Sequence, residues 1–301
     1  MNNPFVSVII PNYNHAQFLD ERINSVLRQA YKNFEIIILD DNSTDNSLEV
    51  IKKYKDNPHI SQIVVNSENC GSPFLQWHKG FRLAKGELIW IAESDDCCSA
   101  TFLSRLIECF IAYKDLSYAF CRSVYMDEKG QIGHVCQPFF SKDFLMDGET
   151  FINKYMIWGN KVFNASSVLF KKSVAMTINS DYTTYRGAGD WLFWIMMAEK
   201  GRIAVIADSL NFYRYYSANT TSKARLTGNQ DFENKMIYDY FDRNGYLTFL
   251  NSIRLRKKYI CEIKYRNRYK NEEIREKSLK IWGNNIFIHL LAWVSHKIQY
   301  K

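Results

Sequence analysis

Four short runs of β-branched and aliphatic residues, each followed by a segment with helical spacing, constrain this chain more than any other feature. "FVSVII" (5–10) runs into Pro11, after which Phe18, Leu19, Ile23, Val26 and Leu27 share one face of a predicted helix over 16–30. "FEIIILD" (34–40) precedes a predicted helix from Asp45 to Tyr54, with Ser43 or Asp45 as its candidate cap. "ISQIVV" (60–65) leads to a helix over 73–84 ended by Lys85-Gly86, and "ELIWIA" (87–92) leads to one over 99–113. Apolar strands alternating with helices predict an α/β fold with a mostly parallel sheet sandwiched by helices. Right-handed crossovers then bring the strand C-termini to one edge, where sheets of this kind bind ligands.

Beyond residue 115 the alternation fades. "LSYAFCRSVYMD" (116–127) and "RIAVIAD" (202–208) read as further strands, and "DWLFWIMMAEKG" (190–201) as a helix ending at Gly201. Residues 230–301 read as mostly helical, with no internal repeat or low-complexity linker. The net charge of +7 is unevenly placed: Ser252 to Lys301 holds 13 Lys/Arg and 4 Asp/Glu, a balance of +9, which leaves the remainder at −2. The basic character therefore belongs to the tail. The 7 cysteines are odd in number and lack a C-x-x-C pair, which argues against a disulfide framework or a structural zinc site and for reduced thiols. "MNNPFVSVII" lacks the basic start of a signal peptide, and no run has the length of a transmembrane helix. The aromatic content of 15% suits a sugar- or base-binding surface, but suits an aromatic-rich core better.

Unusual polar residues gather where the strands end. Glu93, Asp95 and Asp96 follow the fourth strand with only Ser94 among them. Carboxylates packed this closely repel one another unless they lie in open water or converge on a hard cation. Mg²⁺ or Mn²⁺ suits a site with one or two carboxylates, completed by water and substrate phosphates. The competing reading is an acidic turn that caps the helix near Ala100; the place after the fourth strand favours the cation. Asp40-Asp41-Asn42-Ser43 follows the second strand, where a carboxylate can accept from a nucleobase N–H or a ribose hydroxyl, or can close an Asx-turn. No G-x-G-x-x-G follows the first strand and no G-x-x-x-x-G-K-[ST] occurs, so a carboxylate-held metal is the available way to neutralise a diphosphate. In "YRGAGDWLFW" (185–194), Asp190 stands between a Gly-rich loop and a predicted helix. It is either an N-cap, worth about 1 kcal/mol, or a general base; the residues alone favour the cap.

Four segments in order resemble glycosyltransferase family 2, the inverting nucleotide-sugar transferases of the GT-A fold. They are "VSVIIPNYNHAQFLDERINSVLRQAYKNFEIIILDDNSTDNS", "NSENCGSPFLQWHKGFRLAKGELIWIAESDD", "GDWLFWIMMAEKGRIAVI" and "YRYY". Their spacing fits over residues 4–220 and does not reach the tail. The resemblance implies a GT-A catalytic domain over 1–225, with a nucleotide-sugar half (1–115) and an acceptor half (116–225), followed by a helical extension over 226–301. It implies that Pro11 and Tyr13 line a nucleobase pocket, that Asp41 bonds the base with Asp40 in support, and that Glu93 faces the ribose. Asp95 would be the main ligand of Mn²⁺ or Mg²⁺, with Asp96 sharing it. Asp190 falls on the family's catalytic base, which reverses the preference for a cap. Three departures stand out: Glu93 opens the D-x-D region, Gly189 replaces the usual Glu before the base, and Tyr216 stands where many members carry a His.

The implied activity is transfer of a sugar from a nucleotide-diphosphate donor, UDP by family habit, to a hydroxyl of a glycan or lipid-linked acceptor in polysaccharide assembly. The rival is a degenerate nucleotide-binding module of the same fold, supported by the three departures and opposed by Asp95, Asp96 and Asp190. A nucleotidyltransferase is disfavoured by the missing basic Gly-rich loop. In the tail, "IRLRKKYICEIKYRNRYK" (253–270) and "IWGNNIFIHLLAWVSHKIQ" (281–299) fit either an interfacial segment on an anionic membrane or a packed helical cap. Nucleic-acid binding fits the charge but no motif. The expected location is cytoplasmic, with peripheral contact to the inner face of the cell membrane left open.

Overall fold

The computed structural model describes residues 3–216, 226–265, 269–283, 287, 288, 290 and 291. The chain divides into two compact units: Met1–Phe151 with Asn160–Tyr216, and Ile152–Gly159 with Ser217–Lys301. In the first, β1 (Val6–Asn12), β2 (Phe34–Asp40), β3 (Ile60–Val65) and β4 (Leu88–Ile91) alternate with α1 (Ala16–Leu27), α2 (Ser47–Lys52) and α3 (Pro73–Leu83). These strands pair in parallel in the order β3-β2-β1-β4. Every residue of β1 and β2 is buried, whereas β3, at the edge, alternates between half-buried and exposed. Register sets Asn12 beside Asp40 and Ile9 beside Ile91, so the loops after β1, β2 and β4 leave from one edge.

The chain continues through β5 (Cys97–Cys98), α4 (Phe102–Ala112), β6 (Leu116–Met126), β7 (Ile132–Val135), β8 (Phe144–Met146), α5 (Gly148–Lys154), β9 (Val168–Lys171), α6 (Lys172–Ala175), α7 (Gly189–Ala198) and β10 (Arg202–Arg214). The sheet extends past β4 as β9-β6-β10-β5. β9 is antiparallel to both β4 and β6, and β10 is parallel to β6. The sheet is therefore mixed, with antiparallel additions beyond the parallel core. β9 has only four residues, too few to show a period. β10 outlasts the expected 202–208 because irregularities between Ile206 and Asn211 bend it while pairing with β6 continues. That extension carries Arg214 to the ligand edge.

Two expected caps act elsewhere. α2 begins at Ser47, and Asp45 accepts from Ser47 N and from Ala16 N, both at 2.9 Å, joining the starts of α1 and α2. Ser43 instead donates to Asp40 Oδ2 at 2.7 Å. α7 is apolar around its whole circumference and so lies in the interior, where Trp194 packs on Tyr118 and Phe170 with ring centroids 5.4 and 5.6 Å away. All seven cysteines are free thiols.

The second unit contains α8 (Asn229–Arg243), α9 (Phe249–Tyr265) and α10 (Glu272–Ile281). Tyr238, Leu255, Tyr259, Ile260, Ile263 and Trp282 form its core, with Trp282 stacked on Tyr259 at 4.2 Å. Lys258 Nζ donates to the Trp158 carbonyl at 2.7 Å. Parts of both tail motifs lie outside the described residues. Among the described residues no helix is long and apolar enough to cross a membrane.

The turn into β4 passes close under β1. Gly86 N donates to Ser7 Oγ at 2.8 Å, and Ser7 Oγ donates to the buried Glu35 Oε1 at 2.6 Å. A Cβ on Gly86 would lie 2.5 Å from Ser7 N and 2.7 Å from the Phe5 carbonyl oxygen. Backbone on both sides leaves no flexible side chain to yield. Gly86→Ala is expected to destabilise the fold by about 1–3 kcal/mol, measured by urea denaturation; an unchanged midpoint would contradict this packing.

Candidate active site

The first two loops of the ligand edge are tied together by short polar side chains. Asn14 and Asn42 take left-handed backbone conformations (φ 55° and 60°), which Asn tolerates better than most residues. Asn14 Oδ1 accepts from Thr44 N at 2.7 Å, and Asn14 N donates to Ser43 Oγ at 2.9 Å. Asn12 Nδ2 donates to Asp40 Oδ2 at 2.8 Å, and Ser43 N donates to Asp40 Oδ1 at 2.9 Å. Asp40 is fully buried with both oxygens engaged, and anchors the turn after β2. Asp41 is also buried. It accepts from Asn66 Nδ2 at 2.6 Å, Gln76 Nε2 at 2.7 Å and Cys70 N at 3.0 Å, and thereby shapes the loop before α3. Pro11 lies buried in β1, while Tyr13 projects from the edge, 45% exposed.

Two arginines that sequence reasoning passed over hold the acid turn from below. Arg22 lies on the buried face of α1, entirely inaccessible to solvent. Its Nε donates to the Glu93 carbonyl at 2.8 Å, its guanidinium is 3.9 Å from Asp96 Oδ2, and it lies over the Trp90 ring at 5.7 Å. Arg214, from the end of β10, donates through Nε to the Asp95 carbonyl at 2.8 Å and through Nη1 to the Asp127 carbonyl at 2.8 Å; it also pairs with Glu21. Asp96 accepts from Arg214 N at 2.9 Å and from Ser166 Oγ at 2.7 Å. At 1% exposure, Asp96 is part of this buried clamp.

The other two acids occupy different surroundings. Glu93 accepts from Trp77 Nε1 at 2.9 Å, and its carboxyl is pushed up to about 8, by burial first and by the charge of Asp95 second. Asp95 is half-buried and accepts from the Tyr216 hydroxyl at 3.2 Å. That hydroxyl lies 2.9 Å from His15 Nε2, and His15 Nδ1 lies 2.8 Å from Ser94 Oγ. Burial, with Asp95 next to it, raises the Tyr216 phenol far above its ordinary value, so it serves Asp95 as a neutral donor.

Asp190 lies in the first turn of α7, where the helix dipole favours a carboxylate. Asn160 Nδ2 donates to Asp190 Oδ2 at 2.8 Å. The preceding loop is held against the start of α3: Ser72 Oγ donates to the Tyr185 carbonyl at 3.1 Å, and Gly189 abuts the Phe74 ring. Trp77 of α3 joins the two regions, bonding Glu93 while its ring lies 6.1 Å from Phe193 on α7. The segment 160–167 does the same on another side. It carries Asn160 at Asp190, and Ser166, whose Oγ meets both Asp96 and Glu93 N.

Among the described residues no three His, Cys, Asp or Glu side chains converge as a closed cation cage. The donor set at the end of β4 is one accessible carboxylate, Asp95, beside a raised and partly buried Glu93. Hard oxygen donors of this number fit Mg²⁺ or Mn²⁺ completed by water and phosphate oxygens, the arrangement these ions favour.

These environments separate the acids by experiment. Asp96→Ala leaves Arg22 as an uncompensated buried charge and is expected to cost about 3–5 kcal/mol, whereas Asp95→Ala should change stability by less than about 1 kcal/mol; equal losses in urea denaturation would contradict the division. Glu93 has a folded-state value of about 8 against an ordinary 4.5. Its contribution is therefore complete below the lower value and is lost as pH rises through the higher one. Wild-type stability is expected to fall relative to Glu93→Gln across that interval; parallel pH curves would contradict it.

The sequence matches the model described as Glycosyl transferase family 2 over residues 7–175. It is 32% identical over 238 residues to poly(ribitol-phosphate) beta-N-acetylglucosaminyltransferase TarP of Staphylococcus aureus (strain N315), spanning 75% of this chain and 68% of that protein. The crystal structure of S. aureus TarS 1-349 in complex with UDP-GlcNAc superposes with a TM-score of 0.62 at 18% identity, over 94% of this chain and 72% of that one. Mannosyltransferase PcManGT from Pyrobaculum calidifontis, in complex with GDP-Man and Mn2+, gives a TM-score of 0.59 at 15% identity, over 97% of this chain and 74% of that one. These structural likenesses concern the fold. The chain has the GT-A fold and belongs to glycosyl transferase family 2.

Proposed function

We propose that this protein is an inverting, divalent-metal-dependent transferase that moves a sugar from a UDP-sugar donor to a hydroxyl of a glycan or lipid-linked acceptor in polysaccharide assembly. One observation carries the reading: the 160–167 segment supports both the acid turn that presents Asp95, through Ser166 at Asp96 and Glu93 N, and Asp190, through Asn160. TarP and TarS, named or solved with N-acetylglucosamine chemistry, favour a UDP-sugar and a polyol-phosphate or glycan acceptor.

Each residue then has a task. Pro11 and Tyr13 line the base pocket at the edge, with Tyr13 stacking on the base, and Asp41, oriented by Asn66, Cys70 and Gln76, bonds the base. Asp95 is the protein ligand of Mn²⁺ or Mg²⁺, and Glu93 faces the ribose. When bound there, the cation neutralises the diphosphate leaving group. Asp190 accepts the proton of the acceptor hydroxyl as that oxygen attacks the sugar C1 from the face opposite the diphosphate. One displacement inverts the anomeric centre. Orienting the acceptor is worth up to about 7–11 kcal/mol of barrier, so a base held at a helix start by a fixed hydrogen bond suits the task.

Asp190→Asn is expected to retain UDP binding in the presence of Mn²⁺ but to lose transfer by about a hundredfold or more. Asp95→Ala is expected to lose the metal-dependent part of UDP binding. Calorimetry with UDP and Mn²⁺ checks the binding, and UDP release from UDP-GlcNAc or UDP-glucose with candidate acceptors checks the transfer. Near-normal turnover in the Asn variant would remove the base assignment, and an unchanged titration in the Ala variant would remove the metal ligand.

A further inference from the structure

We propose that Asn160 is a positioning residue for Asp190, at a helix start where Gly189 leaves no room for a side chain beside it. The inference rests on the reading of Asp190 as the base. Gly189 leaves no room for a side chain: a Cβ there would lie 2.5 Å from the Tyr182 carbonyl oxygen and 2.7 Å from the Phe74 ring. A side chain at 189 would have to displace the Ser180–Thr184 turn, so the residue beside Asp190 contributes no side-chain contact to it.

The Asn160 amide has one orientation available. Its Oδ1 accepts from Val162 N at 3.1 Å, closing a local turn, which directs its NH₂ to Asp190 Oδ2 at 2.8 Å. The first bond fixes the amide, and the second places its NH₂ against one oxygen of the Asp190 carboxylate. A neutral donor also favours the anionic form, whereas an acid in its place would oppose it. The ionisable groups on elements packed against α7 are His78, Lys79 and Arg82 on α3, Asp181 and Tyr182 in the Ser180–Thr184 turn, and Tyr118 and Arg122 on β6, with Arg186 in the loop before α7 and Lys161 beside Asn160. None of them is altered in the test.

Asp190 can be followed by NMR in protein carrying ¹³C at the aspartate carboxyl carbon, its signal assigned by loss in Asp190→Asn. Asn160→Ala removes both bonds. Asn160→Asp keeps an acceptor for Val162 N, and with it the turn, but replaces the donor with a like charge. The titration midpoint of Asp190 is expected to rise in the Ala variant and to rise further, by about one unit or more, in the Asp variant. A shift in the Ala variant alone would assign Asn160 to the turn and overturn the proposal, as would no shift in either. Full turnover by Asp190→Asn is a separate result: it would remove the base, and a positioning role for Asn160 with it, whatever the midpoints show.

Discussion

A buried ion pair under the acid turn is the interaction on which the rest of the site depends. Arg22, inside α1 and shielded from water, faces Asp96 and also holds the Glu93 carbonyl. Arg214 completes the arrangement, giving its backbone N–H to the Asp96 carboxylate and its guanidinium to the Asp95 carbonyl. Removing two charges from water costs several kcal/mol per ion; Asp96 offsets this through its bonds from Ser166 and the Arg214 backbone, whereas the terminal nitrogens of Arg22 have the ion pair and no hydrogen bond among the described residues. The return here is directional. With the carbonyls of residues 93 and 95 pinned and the side chain of Asp96 drawn inward, the side chain of Asp95 is left as the accessible carboxylate at the sheet edge.

The same economy of support recurs across the site. Ser166 serves Asp96 and Glu93 N together, Trp77 bonds Glu93 while packing against α7, and Asn160 reaches Asp190 from the segment that ends in Ser166. A shift of the 160–167 segment would therefore disturb both carboxylates. Tyr216 and His15 extend the network to the β1–α1 loop, so the opposite rim is tied to the same aspartate that would hold the cation.

Much of this was legible in the residues. The four apolar runs specified the parallel core and its ligand edge, because strands covered on both faces are mostly aliphatic and show it in their composition, the buried Ser7 and Glu35 being bonded to each other. The polar clusters after β1, β2 and β4 were visible for the same reason. Other features depended on pairings that no local pattern reveals. β9 is a four-residue strand inserted antiparallel between β4 and β6, and its presence makes the sheet mixed. Asp40 adjoins Asp41 and Asp96 adjoins Asp95, and only hydrogen bonds from distant segments show that Asp40 anchors the turn after β2 and that Asp96 faces the buried clamp. Arg22 did leave a signal: it lies between Leu19 and Ile23 on the apolar face of α1, where an arginine needs a buried partner. Arg214 left a weaker one, within a strand whose length was underestimated by the six residues from 209 to 214.

The central claim is that the buried clamp on Asp96 leaves Asp95 alone to carry the cation. Anomalous diffraction from crystals grown with UDP and Mn²⁺ tests it most directly. The account predicts one manganese peak within coordinating distance of the Asp95 carboxylate and of the diphosphate oxygens, with Asp96 still bonded to Ser166 and the Arg214 backbone. Manganese coordinated by Asp96, or a nucleotide bound with its diphosphate remote from both aspartates, would contradict it.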